Sequence, residues 1–367
     1  MRIRAIDVFG YTVTYAHGEY VMSGGRVAAH QTGTLVKVST DEGLCGWGEV
    51  TPHDGTYLPV FTGGVQAGLR ELGPALLGVD ATNLNLVNRT MDAVLLGQQY
   101  AKSPIDMACW DIAGQALGQP VAALVGGVMQ PDYPIYEPVP LGPSDAMADY
   151  IEQRRAVGIE RFQLKVGNDP YEDAERTRAC LAAGGGDTLF DVDANGGWSL
   201  LDARIAAQEL AGLPVFLEQP CRTTEDCALV TEHSALPLVL DESVVTLTDV
   251  MAAKQAGAVA INVKISRVGG ISKAVLMRDL MQRLNMRVSI EDSWGGDIVS
   301  AAVSHIAAST DPDHLFFVPP LNELTADGFI AGHQPRSVNG RVAVPTGPGL
   351  GIEVDEAALG APLFSIT

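Results

Sequence analysis

The sequence predicts an α/β protein whose main domain is a (β/α)7β TIM-like barrel, accompanied by an N-terminal α+β domain that the C-terminal segment completes. Three observations predict this fold class. Strands precede helices in roughly the first hundred residues, which is the order of an α+β unit. From about residue 133, eight apolar strand patterns alternate with helical patterns, which favours a parallel barrel. After the eighth strand the chain is rich in Gly and Pro, so no eighth helix is expected.

The predicted N-terminal domain covers residues 1–125. One strand lies in "IRAIDVFGYTVTY", and two more lie in "TGTLVKVSTDEGLCGWGEV", where the chain turns at Asp41-Glu42-Gly43. After Pro59 the apolar residues recur at helical spacing. This spacing predicts helices in "GGVQAGLRELGPALL", "NLNLVNRTMDAVL" and "AKSPIDMACWDIAGQALG".

The predicted barrel covers residues 126–325. Its eight strands are expected in "YPIYEPVPL", "RFQLKVG", "TLFDVDAN", "PVFLEQP", "PLVLDES", "AINVKIS", "RVSIEDS" and "HLFFVPP". Helical patterns such as "YEDAERTRACLAA" and "TLTDVMAAKQAG" lie between them. A doubly wound open sheet is the alternative, but its first strand should be followed by a Gly-rich phosphate loop, and "VPLGPSD" does not match GxGxxG. Residues 326–367 are expected to return to the N-terminal domain.

Composition narrows the classes of partner. The chain carries 24 basic and 44 acidic residues, a net charge of −20, which repels nucleic acid and anionic lipid. No apolar run is long enough to span a membrane. The five scattered cysteines contain no CxxC pair, which favours reduced thiols in a cytoplasmic protein. A small-molecule partner is therefore expected.

Charged residues end five successive predicted strands, at positions Lys165, Asp193, Glu218, Asp241 and Lys264. The intervals are 193−165 = 28, 218−193 = 25, 241−218 = 23 and 264−241 = 23, each about one strand-plus-helix unit. Each residue thus occupies the same height in its unit. In a barrel that height is the C-terminal rim, where active sites form, so the five charges are predicted to converge on one pocket.

Three neighbouring carboxylates repel each other unless a cation neutralises them, and hard oxygen ligands in an open site suit Mg²⁺. Asp193, Glu218 and Asp241 are therefore predicted metal ligands. Each acid taken alone could instead cap a helix, and a single strand-end lysine is more often a surface residue whose ammonium reaches water. The complete set favours a site in which Lys165 and Lys264 exchange the α-proton of a bound carboxylic acid. A catalytically silent metal-binding barrel is the non-enzymatic alternative.

The sequence resembles the enolase superfamily in its mandelate racemase/muconate-lactonizing branch. The motifs that carry the resemblance are "TDEGLCGWGE", "QLKVG", "DVDAN", "LEQP", "LDES" and "NVKISRVGGI". It implies that the N-terminal domain caps the barrel, that Lys165 and Lys264 are the acid/base pair, and that the three carboxylates hold Mg²⁺. One position departs from the pattern, since Gln163 stands where the branch usually has a lysine.

Three further segments, "QYAKSPIDMACWD", "EDSWGGDIVSAAVSHIA" and "PTGPGLGI", resemble a cluster of proline-derivative enzymes within that branch. The resemblance implies a hydro-lyase that dehydrates cis-3-hydroxy-L-proline to Δ1-pyrroline-2-carboxylate by α-proton abstraction, enediolate formation and loss of the 3-hydroxyl. The alternative is 2-epimerisation of a proline betaine or another amino acid or dipeptide. A betaine needs an aromatic box, and "HLFFVPPLNEL" lacks the expected tryptophan. The resemblance also implies a homo-oligomer.

Substrate contacts are expected from three segments at the barrel mouth. Strand seven contributes Asp292 and Trp294 in "EDSWGGD", and "YAHGEYVMSGGR" contributes Tyr20. The segment "TPHDGTYLP" contributes His53, Asp54 and Tyr57. The tyrosines could instead serve as packing residues, and Trp294 could simply cover the end of the barrel.

Overall fold

The computed structural model describes residues 1–53, 55–326 and 330–367. Its strands, in chain order, are β1 (Ile3–Thr14), β2 (Tyr20–Val21), β3 (Val27–Ala28), β4 (His30–Thr40), β5 (Cys45–Val50), β6 (Asp132–Pro134), β7 (Glu137–Val139), β8 (Arg161–Lys165), β9 (Leu189–Asp193), β10 (Val215–Glu218), β11 (Leu238–Leu240), β12 (Ala260–Lys264), β13 (Arg287–Glu291), β14 (Ser337–Val338), β15 (Arg341–Ala343) and β16 (Phe364–Ile366).

The helices are α1 (Thr62–Leu76), α2 (Leu84–Val94), α3 (Gln99–Leu117), α4 (Val121–Leu124), α5 (Ser144–Arg155), α6 (Pro170–Gly184), α7 (Leu200–Glu209), α8 (Thr224–Thr231), α9 (Leu247–Gln255), α10 (Ile265–Val268), α11 (Ile271–Arg283) and α12 (Asp297–Ala308). In the described part of the chain, no helix is both long and apolar enough to cross a membrane.

The N-terminal domain is a four-stranded antiparallel sheet, in the order β16-β1-β4-β5, packed on α1, α2 and α3. Alternate side chains of β1, such as Ile6 and Val8, are fully buried, because successive side chains of a strand point to opposite faces. As predicted, the end of the chain returns to this domain, since Ile6 pairs with Ile366 of β16.

The barrel is a curled sheet of seven parallel strands in the order β13-β12-β11-β10-β9-β8-β7, with helices between successive strands. Side-chain caps begin several of these helices directly after the strand-end loops, which is where Asp, Ser and Thr are favoured. The capping residues are Asp169, Ser199, Thr223 and Thr246. This alternation confirms the predicted (β/α) fold class.

The first and eighth predicted strands differ in detail from the prediction. "YPIYEPVPL" is divided, because β6 pairs with β15 in a separate small sheet and only β7 joins the barrel. "HLFFVPP" is extended but irregular: Phe316 N donates to Val288 O (2.8 Å), and Tyr136 N donates to Val318 O (3.0 Å). This segment closes the barrel between β13 and β7. Pro319 and Pro320 follow it and lack the N–H groups that a longer ladder would need.

Carboxylates of the N-terminal domain cap two barrel helices. The Asp106 side chain of α3 accepts hydrogen bonds from Ser272 N (2.9 Å) and Ser272 Oγ (2.6 Å) at the start of α11. The Glu49 side chain at the end of β5 accepts from Gly296 N and from Val299 N (2.9 Å) at the start of α12. The residues that precede these two helices, Gly270 and Gly296, provide no side-chain cap. The N-terminal domain therefore fixes the loops that follow β12 and β13.

Candidate active site

The candidate site is a cavity between the C-terminal ends of the barrel strands and the loops of the N-terminal domain. Lys165 and Lys264 line it from the barrel, and Tyr20, His53 and Tyr57 line it from the N-terminal domain. The volume open to the centre of a water molecule is ≈ 50 Å³. The cavity therefore suits a small metabolite.

Lys165 ends β8 and is 5 % exposed. It lies in register with Asp193 of β9, and its ammonium donates to Asp193 Oδ2. Burial disfavours this ammonium, but Asp193 and the neighbouring carboxylates outweigh burial and raise the Lys165 pKa well above its ordinary value. In the arrangement seen here the group is charged.

Lys264 ends β12, and three strands separate β12 from β8 in the sheet. Its ammonium donates to Asp241 Oδ2 (2.8 Å) and to Glu291 Oε1 (2.9 Å). Burial again opposes the charge, but these two carboxylates raise the Lys264 pKa. The two lysines thus approach one cavity from opposite sides of the barrel.

The three predicted metal ligands end the neighbouring strands β9 and β10 and follow the end of β11. Asp193 and Glu218 are register partners, and all three are at most 1 % exposed. Asp241 also accepts from Tyr57 OH (3.1 Å) and forms an ion pair with Arg267 (2.7 Å). Burial would raise the Asp241 pKa, but Arg267 and Lys264 outweigh burial and hold it well below its usual range.

Glu218 has a different environment. Its two oxygens accept from Gln163 Nε2 and Asn262 Nδ2, each at 2.8 Å. Burial, followed by the nearby charges of Asp193 and Asp191, raises the Glu218 pKa well above its ordinary value. The ionised form of Glu218 is therefore disfavoured unless a positive charge lies beside it.

The three carboxylates have the chemistry to bind a divalent cation, although their oxygens are bonded to lysine and amide groups in this structure. Among residues 1–53, 55–326 and 330–367, no group of three His, Cys, Asp or Glu side chains has metal-binding geometry. The ammonium groups of Lys165 and Lys264 are bonded to Asp193 and Asp241 instead. The available donors are hard oxygens, which suit Mg²⁺.

Aromatic side chains cover the cavity on the side of the N-terminal domain. The Trp294 ring lies 5.2 Å from His53 and 6.0 Å from Tyr20, measured between centroids, and His53 lies 5.4 Å from Tyr57. Lys165 Nζ lies 5.9 Å from the centre of the Tyr20 ring. The four aromatic residues predicted from three separate segments therefore meet at one wall. Asp54 lies outside the described residues.

Asp292 borders the cavity, but its carboxylate is bonded elsewhere. It accepts from Ser266 N (3.0 Å) and Ser266 Oγ (2.7 Å), just after Lys264, and from Ser293 N (2.7 Å). Burial raises its pKa to about 6. The Asp292 side chain thus fixes the loop next to Lys264.

Sequence reasoning missed Glu291, the neighbour of Asp292. Glu291 ends β13 in register with Lys264, borders the cavity, and accepts from Lys264 and from Tyr136 OH (2.8 Å). A signal was present, because 291−264 = 27 continues the series of intervals between charged strand ends. Arg267 was also missed. It lies on α10, one helical turn beyond Lys264, so the spacing of charged strand ends could not indicate it.

The sequence matches two family descriptions that together span most of the chain. Residues 6–126 match the mandelate racemase/muconate lactonizing enzyme N-terminal domain, and residues 146–358 match the enolase C-terminal domain-like family. The chain belongs to the enolase superfamily. It is an enzyme of the mandelate racemase/muconate lactonizing branch.

Curated relatives cover this enolase-superfamily chain almost end to end. The cis-3-hydroxy-L-proline dehydratase of Roseibium aggregatum is 41 % identical over 365 residues, which is 99 % of each chain. The N-succinyl-L-Arg/Lys racemase of Bacillus cereus is 28 % identical and covers 98 % of this chain and 97 % of its own. The dehydratase is thus clearly more similar than the racemase.

Solved structures of the superfamily share the whole architecture. A mandelate racemase/muconate lactonizing enzyme from Roseovarius nubinhibens ISM superposes with a TM-score of 0.96 at 37 % identity, covering 100 % of this chain and 98 % of that one. A superfamily member from the same organism, complexed with magnesium, gives 0.93 at 34 % identity, covering 100 % and 99 %. These superpositions confirm the barrel and its N-terminal capping domain.

Proposed function

We propose that this enzyme is a Mg²⁺-dependent hydro-lyase that converts cis-3-hydroxy-L-proline into Δ1-pyrroline-2-carboxylate and water. The observation that carries the proposal is the pair of lysines, Lys165 and Lys264, on opposite sides of one small cavity. The 41 % identity to a dehydratase of this substrate over the full chain supports the choice of reaction.

Two opposed amines suit this dehydration. In cis-3-hydroxy-L-proline the hydroxyl and the carboxylate share a ring face, so the α-hydrogen lies on the face opposite the hydroxyl. One lysine, once it has given up its ammonium proton, takes the α-proton on its neutral Nζ, while the other, as an ammonium, donates a proton to the departing 3-hydroxyl, which leaves as water. The C–H and C–O bonds break and a C2–C3 double bond forms. This enamine then tautomerises to the cyclic imine.

Asp193, Glu218 and Asp241 are the proposed Mg²⁺ ligands. When bound, the cation stabilises the charge that develops on the substrate carboxylate. To bind it, Asp193 and Asp241 would have to exchange the ammonium contacts they make here. A magnesium complex of a structurally similar superfamily member supports the cofactor.

The aromatic wall is proposed to hold the substrate ring. Tyr20, His53, Tyr57 and Trp294 line the cavity. With a volume of ≈ 50 Å³ open to water centres, the cavity suits a single cyclic amino acid. Asp292, whose oxygens are already bonded, is proposed to act on the substrate only through the loop it fixes.

The second candidate is a 2-epimerase of a proline betaine or of another amino acid or dipeptide. The same pair of opposed lysines favours it, because one amine can remove a proton and the other can return it to the opposite face. The relative at 28 % identity is, by its name, a racemase of N-succinyl-L-Arg/Lys, which are amino-acid derivatives. It is the more distant of the two relatives.

We further propose that the enzyme is a cytoplasmic homo-oligomer. All five cysteines are free thiols, which fits a reducing compartment. Light scattering coupled to size exclusion measures the assembly directly, and a monomer at micromolar concentration would contradict it.

The decisive experiment incubates the Mg²⁺-loaded enzyme in D₂O with cis-3-hydroxy-L-proline and, separately, with hydroxyproline betaine. Formation of Δ1-pyrroline-2-carboxylate from the first compound is expected. Deuterium incorporation with inversion and no loss of water would instead establish the epimerase. No change in either compound would overturn both assignments.

A further inference from the structure

The central carboxylate of the site, Glu218, accepts hydrogen bonds from two neutral amides, and the buried Asp191 carboxyl lies beside it. Gln163 Nε2 donates to its Oε2 and Asn262 Nδ2 to its Oε1, both at 2.8 Å. The exposed fractions are 3 % for Gln163, 0 % for Glu218 and 2 % for Asn262. Both oxygens are thus fixed in a buried environment by hydrogen bonds that bring no charge.

The flanking carboxylates are bonded differently. Asp193 accepts from the Lys165 ammonium. Asp241 pairs with Lys264 and Arg267. Of the three proposed ligands, Glu218 alone has no cationic side chain within salt-bridge distance in the described residues. Among the described residues, no cationic side chain therefore neutralises Glu218 when it is ionised, and an external cation would do so.

The positions of the two amides follow from strand geometry. Gln163 lies two residues before Lys165 on β8, so both side chains point to the same face of the sheet. Asn262 has the same relation to Lys264 on β12. The amides therefore form a layer directly below the lysines, and Glu218 reaches down to them from β10.

We propose that Gln163 and Asn262 are positioning residues that orient Glu218 for a divalent cation. The inference rests on the proposed Mg²⁺ site. Hydrogen bonds from such partners fix the orientation of a ligating carboxylate, and their loss typically weakens metal binding. A neutral amide fixes the carboxylate without neutralising it, whereas an ammonium at the same place would supply part of the charge that the cation brings.

Calorimetric titration of the full-length enzyme with MgCl₂ tests this role without reference to turnover. The Gln163→Met variant keeps an unbranched side chain of similar length and removes the donor. We expect its Mg²⁺ affinity to fall ~10–100-fold. Asn262→Ala removes the donor to the other oxygen and is expected to act in the same direction, which gives a second variant if one fails to fold.

Gln115→Met is the matched control. Gln115 Nε2 donates to Cys45 O (2.9 Å) in the N-terminal domain, so this variant also loses an amide hydrogen bond, but away from the cavity. Its Mg²⁺ affinity should equal that of the wild type, and thermal unfolding without Mg²⁺ compares the three variants for simple destabilisation.

The outcomes separate the inference from the proposed function. If the wild type binds Mg²⁺ and both folded variants bind it equally well, the positioning role is wrong while the proposed function stands. If the wild type does not bind Mg²⁺, the cofactor and the positioning role are both wrong. A weakened affinity in Gln115→Met equal to that in Gln163→Met would also overturn the inference.

Discussion

At the scale of single residues, the site contains ion pairs in which both members are buried. Lys165 and Lys264 are at most 6 % exposed, and each donates to a carboxylate at a neighbouring strand end. Buried ion pairs with purely structural roles also occur in proteins, so a buried ion pair by itself is weak evidence of catalysis. What separates these lysines from structural ones is that both also border the cavity.

Replacing either lysine by alanine should therefore abolish turnover, with a loss of at least ~10²-fold, because each variant removes a group that is proposed to transfer a proton. Lys102→Ala is the matched control. Lys102 is 2 % exposed and pairs with Asp92 (2.8 Å) in the N-terminal domain, away from the cavity. Each variant removes a buried lysine and its ion pairing, although Asp92 is 48 % exposed and Lys264 pairs with both Asp241 and Glu291. Steady-state assays and denaturant unfolding together separate chemistry from stability. Full activity in Lys165→Ala and Lys264→Ala would contradict the assigned roles.

At the scale of elements, the barrel helices differ in what caps them. Helices such as α6 and α8 are capped by the residue that precedes them, Asp169 and Thr223. Helices α11 and α12 are capped from the N-terminal domain by Asp106 and Glu49. The loops after β12 and β13, which border the cavity, are thus held by a different domain from the one that carries them.

The Glu49 cap should make stability depend on pH. Burial raises the pKa of Glu49 to about 7, with a smaller contribution from Asp297, although hydrogen bonds from Tyr11 and from backbone N–H groups of α12 favour the charge. An unfolded glutamate has a pKa of ~4.3, so between these values the folded state binds more protons. The contribution of Glu49 to the free energy of unfolding is therefore fully present below about pH 4.3 and is lost as the pH rises towards 7.

The comparison is with Glu49→Gln, which cannot titrate. The free energy of unfolding of the wild type, minus that of the variant, should decrease between pH 4.3 and 7 by on the order of 3 kcal/mol and level off above that range. Urea unfolding at a series of pH values measures it. A difference that stays constant from pH 4 to 8 would show that the buried carboxylate has an ordinary pKa.

At the scale of the whole molecule, the chain closes on itself across the first domain. The last strand pairs with β1, and Ile366 packs over Gly73 of α1, where a Cβ atom would lie 2.1 Å from Ile366 Cδ1. Gly73 thus leaves the space that the last strand fills. Residues at both ends of the sequence build the domain that covers the cavity.

Shortening Ile366 to alanine should destabilise the enzyme by ~1–3 kcal/mol, because it removes partly buried apolar volume from this contact. Val338→Ala is the control, since Val338 is 71 % exposed in the same C-terminal segment and should change stability by no more than ~0.5 kcal/mol. Thermal and urea unfolding measure both. Equal changes in stability for the two variants would mean that the Ile366 contact does not stabilise the N-terminal domain.

The sequence by itself determined the barrel and the five strand-end charges. Periodicity of two or 3.6 residues separates strands from helices, and repeated units of similar length bring residues of equal height to one rim. The lengths of the units also indicated Glu291, although the sequence reasoning chose its neighbour Asp292.

Only the tertiary structure decided which charges face which. A shift of one residue in strand register moves a side chain to the opposite face, and spacing along the chain does not fix register that finely. Register places Glu291 beside Lys264, and Asp292 bonds Ser266 outside that pair. The amides that hold Glu218 come from strands 55 and 44 residues away, so their meeting depends on the closed sheet and not on any local pattern.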